Sequence, residues 1–94
     1  MNRYITLLHF TEQGAKNINK STKRAHHFAV LAKKAGVTIE SQYWTTGSFD
    51  GVLVIKADDE QKAHRLLVDL TTAGNVRTET MRAFTAKEFD SIVA

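Results

Sequence analysis

The amino-acid sequence predicts a single α+β domain over residues 1–94, with the element order β-α-β-β-α-β and a short final helix. Two segments with apolar residues at three- and four-residue spacing are typical of amphipathic helices. Segments rich in β-branched and aromatic residues flank them and are typical of strands. A short stretch with two glycines, TTGSFDG, joins the middle two strands as a hairpin. A chain of 94 residues accommodates one such domain, not two.

The first half of the chain predicts a strand, a short helical turn and a long helix. The strand covers residues 3–10, RYITLLHF, and Thr11 can cap the turn that follows. Ser21 is a good N-cap for a helix over about 22–35, which ends before Gly36. The apolar stripe of this helix consists of Ala25, Phe28, Ala29, Ala32 and Ala35.

The second half predicts a hairpin, a second long helix and a last strand. The hairpin strands are residues 37–45 and 51–57, and the last strand is 76–84. Asp58 is expected to cap a helix over about 59–73. The buried stripe of this helix consists of Ala63, Leu66, Leu67 and Leu70.

The chain closes with a short C-terminal helix. Thr85 and Glu88 have the spacing of a capping box, in which each side chain binds the backbone N–H of the other residue. The apolar residues of this helix, Phe89, Ile92 and Val93, are expected to face inward.

Right-handed crossovers place both long helices on one face of a four-stranded antiparallel sheet, with strands one and three in its centre. This arrangement is the ferredoxin-like sandwich. The segments ITLL and VLVI are apolar on both faces, as central strands are, whereas strands two and four are of mixed polarity. Topology and composition therefore predict the same strand order.

The sheet face without helices is also expected to be apolar. Ile5 and Leu7 lie on it in one register, and Tyr4 and Leu8 in the other, and the sequence leaves both open. Soluble monomers seldom expose a large apolar patch, so we expect a homodimer that buries this face. The alternative is that the C-terminal helix folds back over it.

Composition excludes several classes of protein and site. The chain has no cysteine, which excludes disulfides, thiolate metal sites and cysteine nucleophiles. No apolar run approaches the roughly 20 residues of a membrane span, and the first residues lack the pattern of a signal peptide, so a cytoplasmic location is expected. The net charge of +3 is modest. The excess of positive charge comes from Lys16, Lys20, Lys23, Arg24, Lys33 and Lys34. We interpret these residues as a solvated helix face rather than a nucleic-acid site.

Four stretches resemble the GYD-domain family: YITLLHFTEQG, STKRAHHFAVLAKKAG, YWTTGSFDGVLVIKA and GNVRTETMRAFT. The resemblance covers nearly the whole chain and implies a dimeric α/β barrel built from ferredoxin-like protomers. The Gly-x-Tyr-Asp turn that names the family falls on Gly47, Ser48, Phe49 and Asp50, where phenylalanine removes the phenol hydroxyl but keeps a ring for packing. Related dimeric α/β-barrel proteins include cofactor-independent monooxygenases, haem-handling enzymes and ligand-binding modules, so the resemblance implies more about fold than about function.

Few residues are candidates for chemistry. If the protein is an enzyme with a cavity between sheet and helices, the first candidates for catalysis are His9, Tyr43, Asp50 and Arg82. In the structural interpretation, Gly47 supplies a positive φ and Asp50 accepts hydrogen bonds from amides of the turn. The histidines lack metal-ligand spacing, and no phosphate loop or catalytic triad spacing is present, so neither a metal site nor a cofactor is expected.

The candidate ligand-binding residues are Arg77, Glu79 and Trp44. Arg77 and Glu79 share one face of strand four and could line a cleft for a polar or anionic ligand, or they could be solvated edge residues. Trp44 could anchor an interface or form an aromatic lid over a ligand.

The leading hypothesis is a homodimeric small-ligand-binding or accessory module of unknown specificity. The alternative is a small cofactor-independent oxygenase- or isomerase-like enzyme. A nucleic-acid binder is a third class, and the lack of stacked aromatic residues on an exposed sheet argues against it. No membrane partner is expected.

Overall fold

The computed structural model describes residues 1–94 and has the predicted order of elements. The strands are β1 (Asn2–Phe10), β2 (Thr38–Trp44), β3 (Gly51–Ala57) and β4 (Val76–Ala83). The helices are α1 (Glu12–Lys16), α2 (Ser21–Lys34), α3 (Glu60–Thr72) and α4 (Ala86–Val93), and a 3₁₀ turn at Ile18–Lys20 lies between α1 and α2.

The four strands form one antiparallel sheet in the order β2-β3-β1-β4. The central position of β1 and β3 is confirmed, and the fold is the predicted ferredoxin-like α+β sandwich. Tyr4 lies opposite Ile55 across the β1–β3 pair, and Ile5 lies opposite Val54. Since paired residues share a face, this register assigns each paired side chain to one side of the sheet, and a bulge between Ile39 and Ser41 interrupts the β2–β3 pair.

The hydrophobic core lies between the sheet and the two long helices. Tyr4 and Ile55 face the helices and are buried, which selects one of the two registers left open by the sequence. The core consists of Tyr4, Phe28, Ala32, Val37, Leu53, Ile55, Ala57, Ala63, Leu66 and Leu67. Ala29 of α2 and Ala35, the C-cap that follows the helix, are exposed although the spacing places them in the stripe, because α2 meets the sheet along the line through Phe28 and Ala32.

The helix caps agree with the predicted chemistry at some positions and not at others. Thr11 caps α1, because its Oγ1 accepts the N–H of Gly14 at 3.1 Å. Ser21 is the first residue of α2 rather than its cap, since the 3₁₀ turn runs directly into the helix. Asp59, not Asp58, caps α3. The predicted capping box that opens α4 is confirmed.

The C-terminal helix is placed differently from the prediction. Phe89, Ile92 and Val93 are 53%, 56% and 64% exposed, so the expectation that they face inward is wrong. Only Phe84 and Thr85 separate β4 from α4, and this short link contains no turn that could fold the helix back over the sheet. The alternative in which this helix covers the open sheet face therefore fails as well.

The helix-free face of the sheet is apolar in its centre. Ile5 and Leu7 of β1 lie on it beside Val52 and Val54 of β3, and all four are only partly buried. Met81 of β4 extends this patch and is 47% exposed. No helix is long and apolar enough to span a membrane.

Candidate functional site

A cleft of about 280 Å³ opens between the sheet and the two long helices, near the end of β1 and the start of β3. Leu8 and Leu53 line it from the sheet, Phe28 from α2 and Leu70 from α3. Of its 19 lining residues, 11 are hydrophobic. Such a lining suits the apolar part of a small molecule.

Trp44 forms one side of the cleft, at the end of the edge strand β2. Its indole Nε1 donates a hydrogen bond of 2.8 Å to the Oγ of Ser21, the first residue of α2. The side chain is nevertheless 47% exposed. Trp44 thus connects the end of β2 to the start of α2 beside the cleft.

Asp50 also lines the cleft, and it fastens the hairpin to β1. Its Oδ2 accepts the N–H of Phe10 at 2.8 Å, and its own N–H donates to the carbonyl oxygen of Leu8 at 2.8 Å. The sequence analysis expected amides of the turn to donate to this carboxylate. The donor is instead the N–H of Phe10, at the end of β1. Gly47 has the predicted positive φ, at 130°.

Arg24 is the residue of the site that sequence reasoning missed. Its Nη1 donates to the carbonyl oxygen of Asn17 at 2.8 Å, whereas Nη2 is shielded from solvent and has no hydrogen-bond partner. The sequence interpretation counted Arg24 among the solvated basic residues. Its position four residues before the buried Phe28 places both on the same side of α2, and that spacing could have identified it.

The four residues named as candidates for catalysis do not converge. Asp50 lines the cleft. Tyr43 borders it too, but Tyr43 pairs with Val52, so its side chain lies on the helix-free face and is 64% exposed. His9 lies opposite Arg77 on the helix-free face, with its ring centre 4.5 Å from that of Phe49. Arg82 lies towards the other end of β4 and donates to the side chain of Asn2. No group of three metal-ligating side chains occurs.

Arg77 and Glu79, named as ligand-binding candidates, lie outside the cleft. Both are exposed on the edge strand β4, on the helix-free face. Neither makes a side-chain hydrogen bond or an ion pair within the chain. Of the three ligand-binding candidates, only Trp44 belongs to the cleft.

A separate charged cluster lies at the opposite end of the sheet from the cleft. Arg3 contacts the Glu40 carboxylate at 3.2 Å and Glu88 at 3.9 Å, and Lys56 lies 3.7 Å from Glu40. The backbone N–H of Thr85 lowers the pKa of Glu88, with help from the Thr85 side chain and the charges of Arg82 and Arg3. This cluster fixes the base of α4 rather than contributing to the cleft.

The amino-acid sequence matches the family model described as the GYD domain over residues 4–93. The chain belongs to the GYD-domain family. The resemblance seen in the four sequence stretches is thereby confirmed.

A relative of this GYD-domain chain carries a descriptive name. The two sequences are 31% identical over 84 residues, which cover 88% of each chain. The relative, from Thermus thermophilus, is named glutamine synthetase and cystathionine beta-lyase binding protein. Its name describes a protein that binds other proteins.

Two solved structures resemble the fold of this GYD-domain chain. The Thermus thermophilus protein TTHA0845 matches with a TM-score of 0.65 and 22% identity, over 92% of this chain and 96% of its own. The protein FFRP-DM1 matches with a TM-score of 0.65 and 13% identity, over 89% of this chain and 100% of its own. At these identities the likeness establishes the fold alone.

Proposed function

We propose that this GYD-domain protein is a homodimeric module that binds a small, largely apolar molecule in the cleft between α2 and the sheet. The observation that carries the proposal is an open cleft of about 280 Å³ in which 11 of 19 lining residues are hydrophobic. Ligand pockets combine such a lining with a few polar groups, and their volumes begin at roughly 300 Å³. Arg24, Asp50 and Gln42 supply polar groups here.

The geometry favours binding over the enzyme alternative. Catalysis by the named candidates needs their side chains within reach of one substrate. His9 lies on the other face of the sheet, and Arg82 is engaged with Asn2 and with backbone oxygens. The cleft itself contains no nucleophile paired with a base.

The homodimer is the second part of the proposal. The patch formed by Ile5, Leu7, Val52 and Val54 has no covering element in the chain. A second sheet packed face to face against this patch would bury it. A cytoplasmic location, expected from the sequence, remains part of the proposal and is tested by cell fractionation.

Binding to the cleft can be tested with N-phenyl-1-naphthylamine, a neutral apolar dye whose emission rises in apolar surroundings. We expect saturable binding to the wild-type protein. Ala25 is half-buried and lines the cleft, so Ala25→Leu fills part of the volume and should weaken binding at least tenfold. Ala29→Leu is the matched control, because Ala29 is exposed one turn further along α2 and does not line the cleft.

Two results would contradict the cleft proposal. One is the absence of saturable dye binding to folded wild-type protein. The other is an equal effect of Ala25→Leu and Ala29→Leu on the dissociation constant, because the dye would then bind elsewhere. Native mass spectrometry of the purified protein provides the subunit count and any retained ligand in the same measurement.

A second candidate function is that of an accessory protein that binds a metabolic enzyme. The name of the Thermus thermophilus relative favours it, together with the exposed apolar side of α4. In this case purified glutamine synthetase or cystathionine beta-lyase should bind in calorimetry, and Ile92→Asp on α4 should abolish the signal. Asp90→Asn, a change on the same helix that keeps the apolar side, should not. The absence of binding to both enzymes would remove this candidate.

A further inference from the structure

We infer that the ligand of the cleft carries a single carboxylate, held by Arg24, and an apolar tail. This inference rests on the proposed function, because it names the chemical class of the molecule in the same cleft. Three residues with charged side chains line the cleft: Arg24, Asp50 and Asp69. Which of them still lacks a partner decides the charge of the ligand.

Both acidic residues already have partners. Asp50 accepts the backbone N–H of Phe10 at 2.8 Å through Oδ2. Asp69 accepts a hydrogen bond from Nε of Arg65 at 3.2 Å. Each acidic side chain therefore already has a donor within the chain.

Arg24 is the charged group that is left with an unused donor. Its Nη1 donates to Asn17 at 2.8 Å, but Nη2 has neither a protein acceptor nor access to solvent. An unsatisfied buried donor of this kind destabilises the protein, and more so when it is charged. Arg24 also lines the cleft, so an oxygen of a bound ligand that reached Nη2 would satisfy that donor.

The surroundings of Arg24 select a monocarboxylate over a phosphate. Asp50 lines the same cleft, so a second negative charge on the ligand would be repelled. Guanidinium and carboxylate are complementary in geometry, and bonds between them are charge-assisted. The tail would lie along Leu8, Phe28, Leu53 and Leu70.

The test uses octanoate, 1-octanol, octylamine and octyl phosphate, which share one tail and differ in the head group. Trp44 is the only tryptophan and lines the cleft, so its fluorescence reports binding. We expect octanoate to bind at least tenfold more tightly than the other three probes, since one charge-assisted hydrogen bond contributes at least 1.5 kcal/mol, or roughly tenfold. Arg24→Gln should abolish this preference while 1-octanol binding is retained.

Lys23→Gln is the matched control, because it removes the same charge from an exposed neighbour. It should keep the preference for octanoate. Arg24→Lys is a second variant, and we expect it to retain part of the preference, since it keeps the charge but loses the planar fork. Thermal melts establish that each variant is folded.

The possible outcomes separate the two proposals. If 1-octanol, octylamine or octyl phosphate binds as tightly as octanoate, or if the preference survives Arg24→Gln, the carboxylate inference is wrong and the cleft proposal stands. If no probe binds to folded wild-type protein, the cleft proposal fails and the inference fails with it.

Discussion

Asp50 connects three parts of the chain through one residue. Its carboxylate accepts the N–H of Phe10, its backbone N–H donates to Leu8, and its carbonyl oxygen accepts the N–H of Thr45. These contacts join the hairpin to the end of β1 and so form one wall of the cleft. The family motif and the cleft therefore depend on the same residue.

We predict that Asp50→Ala destabilises the protein by about 1–3 kcal/mol, because the half-buried N–H of Phe10 loses its acceptor. Asp50→Asn should cost less, since the amide oxygen can still accept that hydrogen bond. Urea denaturation gives both values. Equal losses for the two variants would mean that the charge, not the hydrogen bond, is what stabilises the hairpin.

Gly14 marks a close approach between α1 and the loop before β4. A Cβ at this position would overlap the carbonyl oxygen of Asn75 and lie 2.9 Å from its carbonyl carbon. Thr11 closes the same corner, because its N–H donates to Asn75 at 3.1 Å and its hydroxyl donates to Gly74 at 2.6 Å. Only a residue without a side chain fits there.

We predict that Gly14→Ala lowers the free energy of unfolding by about 1–3 kcal/mol, the usual cost of overpacking. Ala15→Ser, at the exposed next position of α1, is the control and should change the free energy by less than about 0.5 kcal/mol. Thermal and urea melts measure both. A melting curve for Gly14→Ala equal to that of the wild type would show that α1 and the loop before β4 can move apart without a loss of stability.

At the scale of elements, α4 is the helix whose position depends most on its first turn. It buries none of its residues, and its start is organised by the capping box of Thr85 and Glu88. The Glu88 carboxylate accepts the Thr85 N–H at 2.8 Å, and Thr85 accepts the Glu88 N–H at 3.2 Å. An isolated helix of eight residues is only marginally stable in water, so these contacts stabilise α4 more than the intrinsic helix propensity of its residues does.

We predict that acid loosens α4 through Glu88. The folded state lowers the pKa of this carboxyl below its ordinary value of 4.5, chiefly through the Thr85 N–H. The stabilisation is therefore complete above pH 4.5 and is lost as the pH falls through the lower folded value. NMR chemical shifts of the Glu88 carboxyl and of the α4 backbone should titrate together.

Glu88→Gln should remove the acid-dependent change in the α4 chemical shifts. Asp90→Asn, on the same helix but outside the cap, should show the same change as the wild type. An α4 that keeps its helical shifts under strongly acidic conditions, with Glu88 protonated, would contradict this role for the capping box.

At the scale of the whole molecule, the open sheet face is the feature that the monomer leaves incomplete. Its centre is formed by Ile5, Leu7, Val52 and Val54, and Met81 lies beside it. The exposed apolar side of α4 adds to the surface available to a second copy. The two long helices cannot cover this surface, because both pack on the opposite face.

We predict a dimer at micromolar concentration in sedimentation equilibrium. Leu7→Glu introduces a charge into the centre of the face and should shift the protein to monomer. Val68→Glu is the control, because Val68 is 56% exposed on α3 and away from this face, and it should leave the dimer intact. A monomer mass for the wild type across that range would refute the homodimer.

The sequence by itself determined the order of elements, the central place of β1 and β3 and the capping chemistry of α4. These features depend on local periodicity and on short-range hydrogen bonds, which neighbouring residues encode directly. It also carried the family resemblance through the segments around Gly47 and Asp50. Trp44 is a ligand-binding candidate from the sequence, and the structure places it in the cleft.

Only the tertiary structure decided which face each strand residue takes, where α4 points and which polar groups meet in the cleft. The alternation in β1 is equally apolar in both registers, so packing against α2 and α3 had to select Tyr4 over Ile5. Arg24 and Asp50 are 26 positions apart in the sequence, and His9 and Arg82 are 73 apart. Whether residues at such separations meet depends on strand register and helix rotation, which no local pattern specifies.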